Sequence, residues 1–530
     1  MSAWPRFLLA GVICTAPATA QEMLSASEGL VGAERLGSAV ARVSDLDGDG
    51  ADDLAVGAAD ALGSAGGVVL VSSMTGARIA ATAGTVPFGR LGAAIVTIED
   101  VSGDGIVDIA VGEPGSGGAY AGAVRLLNGK TLALVSTIPG STPSALFGDR
   151  VVSLDDHTND GVREIAVASP AETNGAGAVR VIDTVNGTVL QTFVGSAPFD
   201  ALGTGLGTIQ DLSGDGLIDL VIGAPGFDPP GVNGGGLVNL GDPATGAVFL
   251  SIPGLGPNDA LGFSCDGTPD INGDTFPDLV GGAPGATVSG MAGAGSCFAL
   301  AGTSGTVIHR VDGLNSNDAM GWYVAGLGDL EGDGVGDYSC GSPSATVNGV
   351  VDAGRVYVVS GGVGLSYEFT GVATGVGLGA VCRSFGDLDG DTRADLVIGS
   401  PDHDGGAGAD VGRVEIRRGL AASVTVETSG QYGSPFNLTI QATPGAMAFL
   451  VVDVASGSVP SPYGTFCLGF TPSILVRAVG PIPATGYHLA SGLLPTSGPP
   501  SVTIYVQAVT SNPFPGPLFW TGGCDSISLF

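Results

Sequence analysis

Seven short acidic segments carry the chemistry available to this chain. The first is Asp45-Leu-Asp-Gly-Asp-Gly-Ala-Asp-Asp53, and the others begin at Asp100, Asp156, Asp211, Asp270, Asp329 and Asp387. When such a nonapeptide curls, its odd positions turn inward and their oxygens converge. Calcium is a hard cation that takes about six to eight oxygen ligands, so it suits this arrangement. In the first segment Asp45, Asp47, Asp49 and Asp53 offer carboxylates and Ala51 a backbone carbonyl. Gly48 and Gly50 permit the positive φ angles of the curl. Without a cation, four carboxylates at such close quarters repel.

The same positions are found in every copy. The second set is Asp100, Ser102, Asp104, the Ile106 carbonyl and Asp108; the third is Asp156, Thr158, Asp160, the Val162 carbonyl and Glu164. The fourth is Asp211, Ser213, Asp215, the Leu217 carbonyl and Asp219; the fifth is Asp270, Asn272, Asp274, the Phe276 carbonyl and Asp278. The sixth is Asp329, Glu331, Asp333, the Val335 carbonyl and Asp337; the seventh is Asp387, Asp389, Asp391, the Arg393 carbonyl and Asp395. Counting carboxylates ranks the first, sixth and seventh as the strongest. The third departs most, with Asn159 for the usual glycine, Thr158 for an acid and Glu164 for aspartate.

The formal charge is −33, with only 18 basic residues, which argues against nucleic acid and anionic membranes as partners. The ligand positions hold 24 of the 51 acids, so seven Ca²⁺ would bring the charge to about −19. Catalytic machinery is not evident. His157, His309, His403 and His488 are scattered, and each is expected in a turn or on the surface. No catalytic or cofactor-binding residue is assigned, and an enzyme is the less favoured reading.

The segments recur at steps of 55, 56, 55, 59, 59 and 58 residues, so the elements that position them must repeat as well. Each unit opens with a short apolar stretch such as Leu36-Gly-Ser-Ala-Val40, and the acidic loop follows. A strand then starts at the last acid, as in Asp53-Leu-Ala-Val-Gly57, and often ends in Gly-Ala-Pro, as in Gly223-Ala-Pro225. A third strand such as Ala123-Val-Arg-Leu-Leu127 and a turn such as Asn128-Gly129 lead into a fourth. Four strands in roughly 55 residues make one blade, so seven units predict an all-β, seven-bladed β-propeller over 21–420. Residues 22–30 resemble the fourth strands of other units and are expected to complete the last blade, leaving no open sheet edge. Ser423-Val-Thr-Val426 is the competing candidate. Residues 421–530 leave the repeat, and their β-rich runs among Pro, Gly and Ser turns predict a small β-sandwich.

The units resemble FG-GAP repeats, the blades of the integrin α-subunit propeller and of many secreted bacterial proteins. Phe147-Gly148 preserves the eponymous pair, most other units carry Leu-Gly, and Gly-Ala-Pro recurs. The resemblance covers 22–420. It implies structural Ca²⁺ in the acidic loops on one face. An EF-hand is excluded because the flanking segments read as strands.

At the N-terminus, Arg6, the apolar run Phe7 to Cys14 and Ala18-Thr19-Ala20 read as a signal peptide cleaved after Ala20, hence a secreted or cell-surface protein. No later run is long enough to span a membrane. Six cysteines follow. Cys467 with Cys524 is the favoured pair, and Cys340 with Cys382 would bridge consecutive units. Cys265 and Cys297 fall on the first and third strands of one sheet, about 9–10 Å apart. That is too far for a bond that needs Cα atoms within about 7 Å. Buried free thiols are the alternative for these four. The face opposite the acidic loops, with Phe227 to Asn233, Asp402-His-Asp404, Asn315 to Asp318 and Trp322-Tyr323, is expected to meet partners. The overall expectation is a monomeric, calcium-stabilised recognition or adhesion module for an extracellular protein or glycan. A carbohydrate-active enzyme or lectin, or a structural surface or matrix component, are the alternatives.

Overall fold

The computed structural model describes residues 23–418, except 31–32, 331–333, 362–363 and 391–392, and the backbone of nine strands beyond residue 422. Residues 23–418 form seven four-stranded antiparallel sheets. Blade one runs Val40–Val43, Asp53–Gly57, Gly67–Val71 and Arg78–Ala83, paired in that order. The next five blades repeat it with Ile95–Ile98, Val151–Ser153, Leu206–Ile209, Ser264–Thr268 and Tyr323–Gly328 as first strands, and blade seven starts at Val381–Ser384.

The burial of each strand follows its distance from the rim. The second strands have neighbouring blades on both faces and are buried throughout, as Asp53–Gly57 and Asp219–Gly223 show. Such strands read as continuous apolar runs instead of alternating ones. The fourth strands face solvent, and Leu134–Pro139 buries only Ile138. The core therefore lies between blades. Val69 and Val71 of blade one pack with Val397, Val414 and Ile416 of blade seven, while Val68 and Leu70 pack with Ile109 and Val111 of blade two.

Glycine allows the blades to approach so closely. The last residue of the second strand faces the Leu-Gly step of the next unit. A Cβ on Gly223 would stand 1.9 Å from the Gly262 carbonyl oxygen, and one on Gly112 would stand 2.0 Å from that of Gly148. Blade three carries Ala168 at this place. The bridge of Gly66 to Leu91 recurs at each junction, and Leu36 with Gly412 closes the circle.

The closing strand is Met23–Glu28, which pairs antiparallel with Arg413–Arg417 and completes blade seven. This is the strand expected from residues 22–30. Ser423–Thr428 pairs instead with Pro435–Gln441, so the competing assignment fails. Ser25 Oγ donates to the Ser73 carbonyl of blade one, and Arg413 Nη1 donates to Glu28 at 3.1 Å.

The cysteine expectations need correction. Cys297 on the third strand of blade five is bonded to Cys340 on the second strand of blade six, with Cα atoms 6.1 Å apart. Cys340 therefore does not bridge to Cys382. Cys265 and Cys382 are buried free thiols. As expected, Cys265 and Cys297 are not joined. The Cys467–Cys524 pairing and the segment 1–20 lie outside the described residues.

Residues 420–530 belong to a separate compact unit. Its described backbone comprises a three-stranded sheet, a four-stranded sheet led by Leu475–Pro481 and Met447–Asp453, and the hairpin of Ser456–Ser461 with Gly464–Leu468. Among the described residues no helix is long and apolar enough to cross a membrane.

Candidate metal centre

Every acidic loop joins a first strand to a second, so all seven emerge at the same end of the blades. Among the described residues the loops are wound on their own carboxylates. The first-position aspartate accepts backbone N–H groups from the middle of the turn. Asp45 takes those of Gly48 (2.6 Å) and Gly50 (2.9 Å), Asp100 those of Gly103 and Gly105 (both 2.6 Å), and Asp211 those of Gly214 and Gly216. The fifth-position aspartate folds back onto the N–H two residues on, as Asp49 does to Ala51 and Asp104 to Ile106. Gly48 and Gly50 adopt φ of 83° and 93°, as the curl requires.

The ninth acid forms the floor of the loop. Asp53, Asp108, Asp219, Asp278, Asp337 and Asp395 are fully buried, and Glu164 nearly so. In the aspartate loops one oxygen accepts the N–H of the second loop residue, at 2.8 Å for Leu46, 2.7 Å for Leu212 and 2.8 Å for Ile271. The other oxygen accepts an N–H from just beyond the third strand: Ser73, Gly129, Gly302 or Gly361.

The third loop departs as its sequence suggests. Asn159 supplies the left-handed residue at φ 58°, which asparagine tolerates better than most side chains. The longer Glu164 spends both oxygens on the N–H groups of His157 (2.6 Å) and Thr158 (3.2 Å). His157 itself stands where the other loops place Leu46, Leu212, Ile271 or Leu388, and neither of its buried ring nitrogens has a hydrogen-bond partner. The sequence reading put this histidine in a turn but missed that the side chain replaces a core aliphatic. Aligning the seven second positions would have revealed it.

Electrostatics divides the acids into two groups. Backbone N–H donors hold Asp100, Asp156 and Asp211 below the usual carboxylate range. Burial pushes Asp53, Asp219 and Asp278 above it, despite the N–H groups they accept. The floor of these loops thus carries an anion under strain from desolvation, and a nearby cation would relieve it.

The donor set fits calcium. One oxygen from each of Asp45, Asp47 and Asp49 lies within 4.8 Å of the others, and so do oxygens of Asp387, Asp389 and Asp395. The Asp219 Oδ1 atom is buried and has no hydrogen-bond partner. These are all hard oxygens, the ligand type calcium prefers over nitrogen or sulfur. Glu331 and Asp333 of the sixth loop and Asp391 of the seventh lie outside the described residues, so the geometry does not test the expected strength of either loop.

The first strands line a central cavity of about 910 Å³. On its wall Arg383 Nε donates to the Tyr323 hydroxyl at 2.7 Å, and an Arg383 nitrogen lies 3.8 Å from Asp266. Trp322 also lines the cavity; it is half-exposed and its ring centre lies 4.7 Å from that of Phe263. The acids expected on the opposite face are largely engaged in holding their own loops. Asp318 accepts the N–H groups of Leu314 and Asn315, Asp228 that of Gly234, and Asp404 that of Asp410. His403 lies 3.6 Å from Glu28 of the closing strand.

Comparison with known proteins agrees with this geometry. Residues 91–127, from the opening Leu-Gly step through the acidic loop to the third strand, match the FG-GAP repeat. Integrin alpha-X of Mus musculus is 34% identical over 91 residues, covering 16% of this chain and 8% of the integrin. The chain therefore carries FG-GAP repeats in an integrin-α-like seven-bladed propeller, with metal-binding motifs in the loops and one inter-blade disulfide.

Proposed function

We propose that this protein is a secreted recognition or adhesion module whose loops hold up to seven structural Ca²⁺ ions. The carboxylates at positions one, three, five and nine, with the seventh carbonyl, would hold each ion. Bound calcium supplies positive charge beside anions that burial otherwise disfavours. The observation that carries the reading is the shared placement of seven loops at one end of the ring, each with a buried acid as its floor. One end is thereby stiffened, and the other, with the central cavity, is left for a partner. An extracellular protein is the favoured partner, and the nine strands beyond residue 422 are read as a sandwich domain that accompanies it.

The metal reading is tested by melting the full chain in calcium and in a chelator. A fall of several degrees on chelation is expected, and identical curves would overturn it. A lectin or carbohydrate-active enzyme is the second reading, favoured by Trp322, Asp266 and Arg383 around the cavity. Glycan-array binding would select the lectin and polysaccharide turnover the enzyme. Capture of a single extracellular protein would support the primary reading. If all three assays fail, a structural surface or matrix component is left.

A further inference from the structure

The seven loops differ at a place the nonapeptide does not include: the exit of the third strand. Register puts one residue there opposite each ninth acid, and the next residue offers its N–H to the acid's second oxygen. Ser73 does so at 3.3 Å, Gly129 at 3.0 Å, Gly302 at 3.1 Å and Gly361 at 3.2 Å. The third loop departs because Glu164 spends both oxygens on His157 and Thr158, and the fourth and seventh carry unlike residues at this exit.

In the fourth loop Leu220 pairs with Gly241, so Asp242 stands opposite Asp219 and Pro243 comes next. Proline has no N–H to give. Asp242 does not substitute, because it accepts the Ala244 and Thr245 N–H groups of its own turn. Asp219 therefore keeps Oδ2 on the N–H groups of Leu212 and Ser213, while Oδ1 has no donor in a residue with 0% exposure. A buried carboxylate oxygen left in this state is costly unless something positive meets it.

In the seventh loop Leu396 pairs with Arg417, which places Arg418 opposite Asp395. Its Nε donates to Asp389 Oδ2 at 2.6 Å, and the Asp389 side chain is only 2% exposed. Asp389 is the third-position ligand. In the second loop the same place belongs to Asn128, whose neutral amide reaches Asp104 at 2.8 Å. Only in the seventh, among the described loops, does this position bring a full positive charge.

We infer that the third-strand exit sets how readily each loop takes calcium: Pro243 leaves Asp219 open to a second metal bond in the fourth loop, and Arg418 is an internal counter-cation competing with the ion in the seventh. The inference rests on the calcium reading above. Arg418 on Oδ2 leaves Asp389 one oxygen for the ion and sets a positive charge beside it, which disfavours a divalent cation there. An oxygen with no N–H to share is a stronger donor and permits bidentate coordination. The seventh loop is then weaker than its converging carboxylates alone imply, and the fourth is stronger than its count of acids implies.

The test is calcium titration calorimetry on the full chain after chelation, with Tb³⁺ luminescence as a second probe. Arg418→Gln keeps a hydrogen-bond donor and removes the charge, and Pro243→Ala restores an N–H. Arg418→Gln is expected to add one calcium equivalent or to tighten one class of site about tenfold. Pro243→Ala is expected to weaken one class of site severalfold. Melting in chelator checks that both variants fold as the parent does. A parent that binds calcium while Arg418→Gln changes neither stoichiometry nor any affinity would overturn the inference alone. A parent that takes up no calcium would overturn the metal reading and this inference together.

Discussion

Gly282 and Gly321 touch across the seam between blades five and six, where a methyl group on Gly282 would stand 1.9 Å from the Gly321 carbonyl oxygen. Backbone cannot yield there without parting two sheets. Gly282→Ala is therefore expected to destabilise the propeller by about 3 kcal/mol or more, read as the denaturation midpoint. At the corresponding seam after blade three Ala168 already fills the space, and Ala168→Gly is expected to cost about 1 kcal/mol or less. Equal effects at the two seams would contradict the close-approach account of the glycines.

The Cys297–Cys340 bond closes 43 residues and ties blades five and six. Chain-entropy arguments give such a loop about 4 kcal/mol at most. Cys297→Ala should lower the melting temperature, and reductant should lower that of the parent but not of the variant. Cys265 and Cys382 should resist alkylation in the native state, since burial pushes the Cys382 thiol up to about 12 and raises Cys265 as well. Native labelling of either would show that these first strands are not packed as described.

His157→Leu should stabilise the chain. Both ring nitrogens are buried without partners where other loops carry an aliphatic side chain. Removing them is worth about 1–2 kcal/mol, provided the leucine fills the same space. Chemical denaturation of parent and variant in chelator isolates this from any change in metal binding. A less stable variant would mean that the imidazole makes a contact of value.

Glu172 and Arg180 form a two-pronged ion pair, with both contacts at 2.6 Å and the side chains 11% and 19% exposed. The Arg180 hydrogen bonds hold Glu172 below the ordinary glutamate value of 4.5. A depressed folded pKa adds stability that is present above the unfolded value and lost as pH falls through the folded one. Glu172→Gln should therefore cost about 2 kcal/mol at neutral pH. The gap between parent and variant should narrow as pH drops below 4.5. A gap constant from pH 7 to 3 would count against the pair as the source.

The blades were legible because the acidic loops fix a pitch, and each loop is built by residues at most eight apart in sequence. The closing strand was legible for a similar reason, since Met23–Glu28 carries the pattern of the other fourth strands. The cysteine pairing was not. Cys297 meets Cys340 through the packing of one blade on the next, a distance that depends on how closely glycines let sheets approach. Ranking the loops by their own acids leaves out Pro243 and Arg418, which are brought beside the loops from the neighbouring third strand by strand register. The disposition of His157 was hidden because a histidine in a turn looks like any polar turn residue until its six counterparts are seen to be aliphatic and buried or partly buried against the core.

The strand that seals the ring also fixes an order of events. Met23 and Arg413 are separated by 390 residues, yet they belong to one sheet. A chain made from its amino end must keep that segment unmatched while six complete blades and most of a seventh are synthesised. Its docking closes a stretch of nearly the whole propeller chain, a loop-closure cost in entropy that the pairing must repay. Until it arrives, Arg413–Arg417 presents a bare edge, and a second nascent chain can supply the missing piece in place of the first.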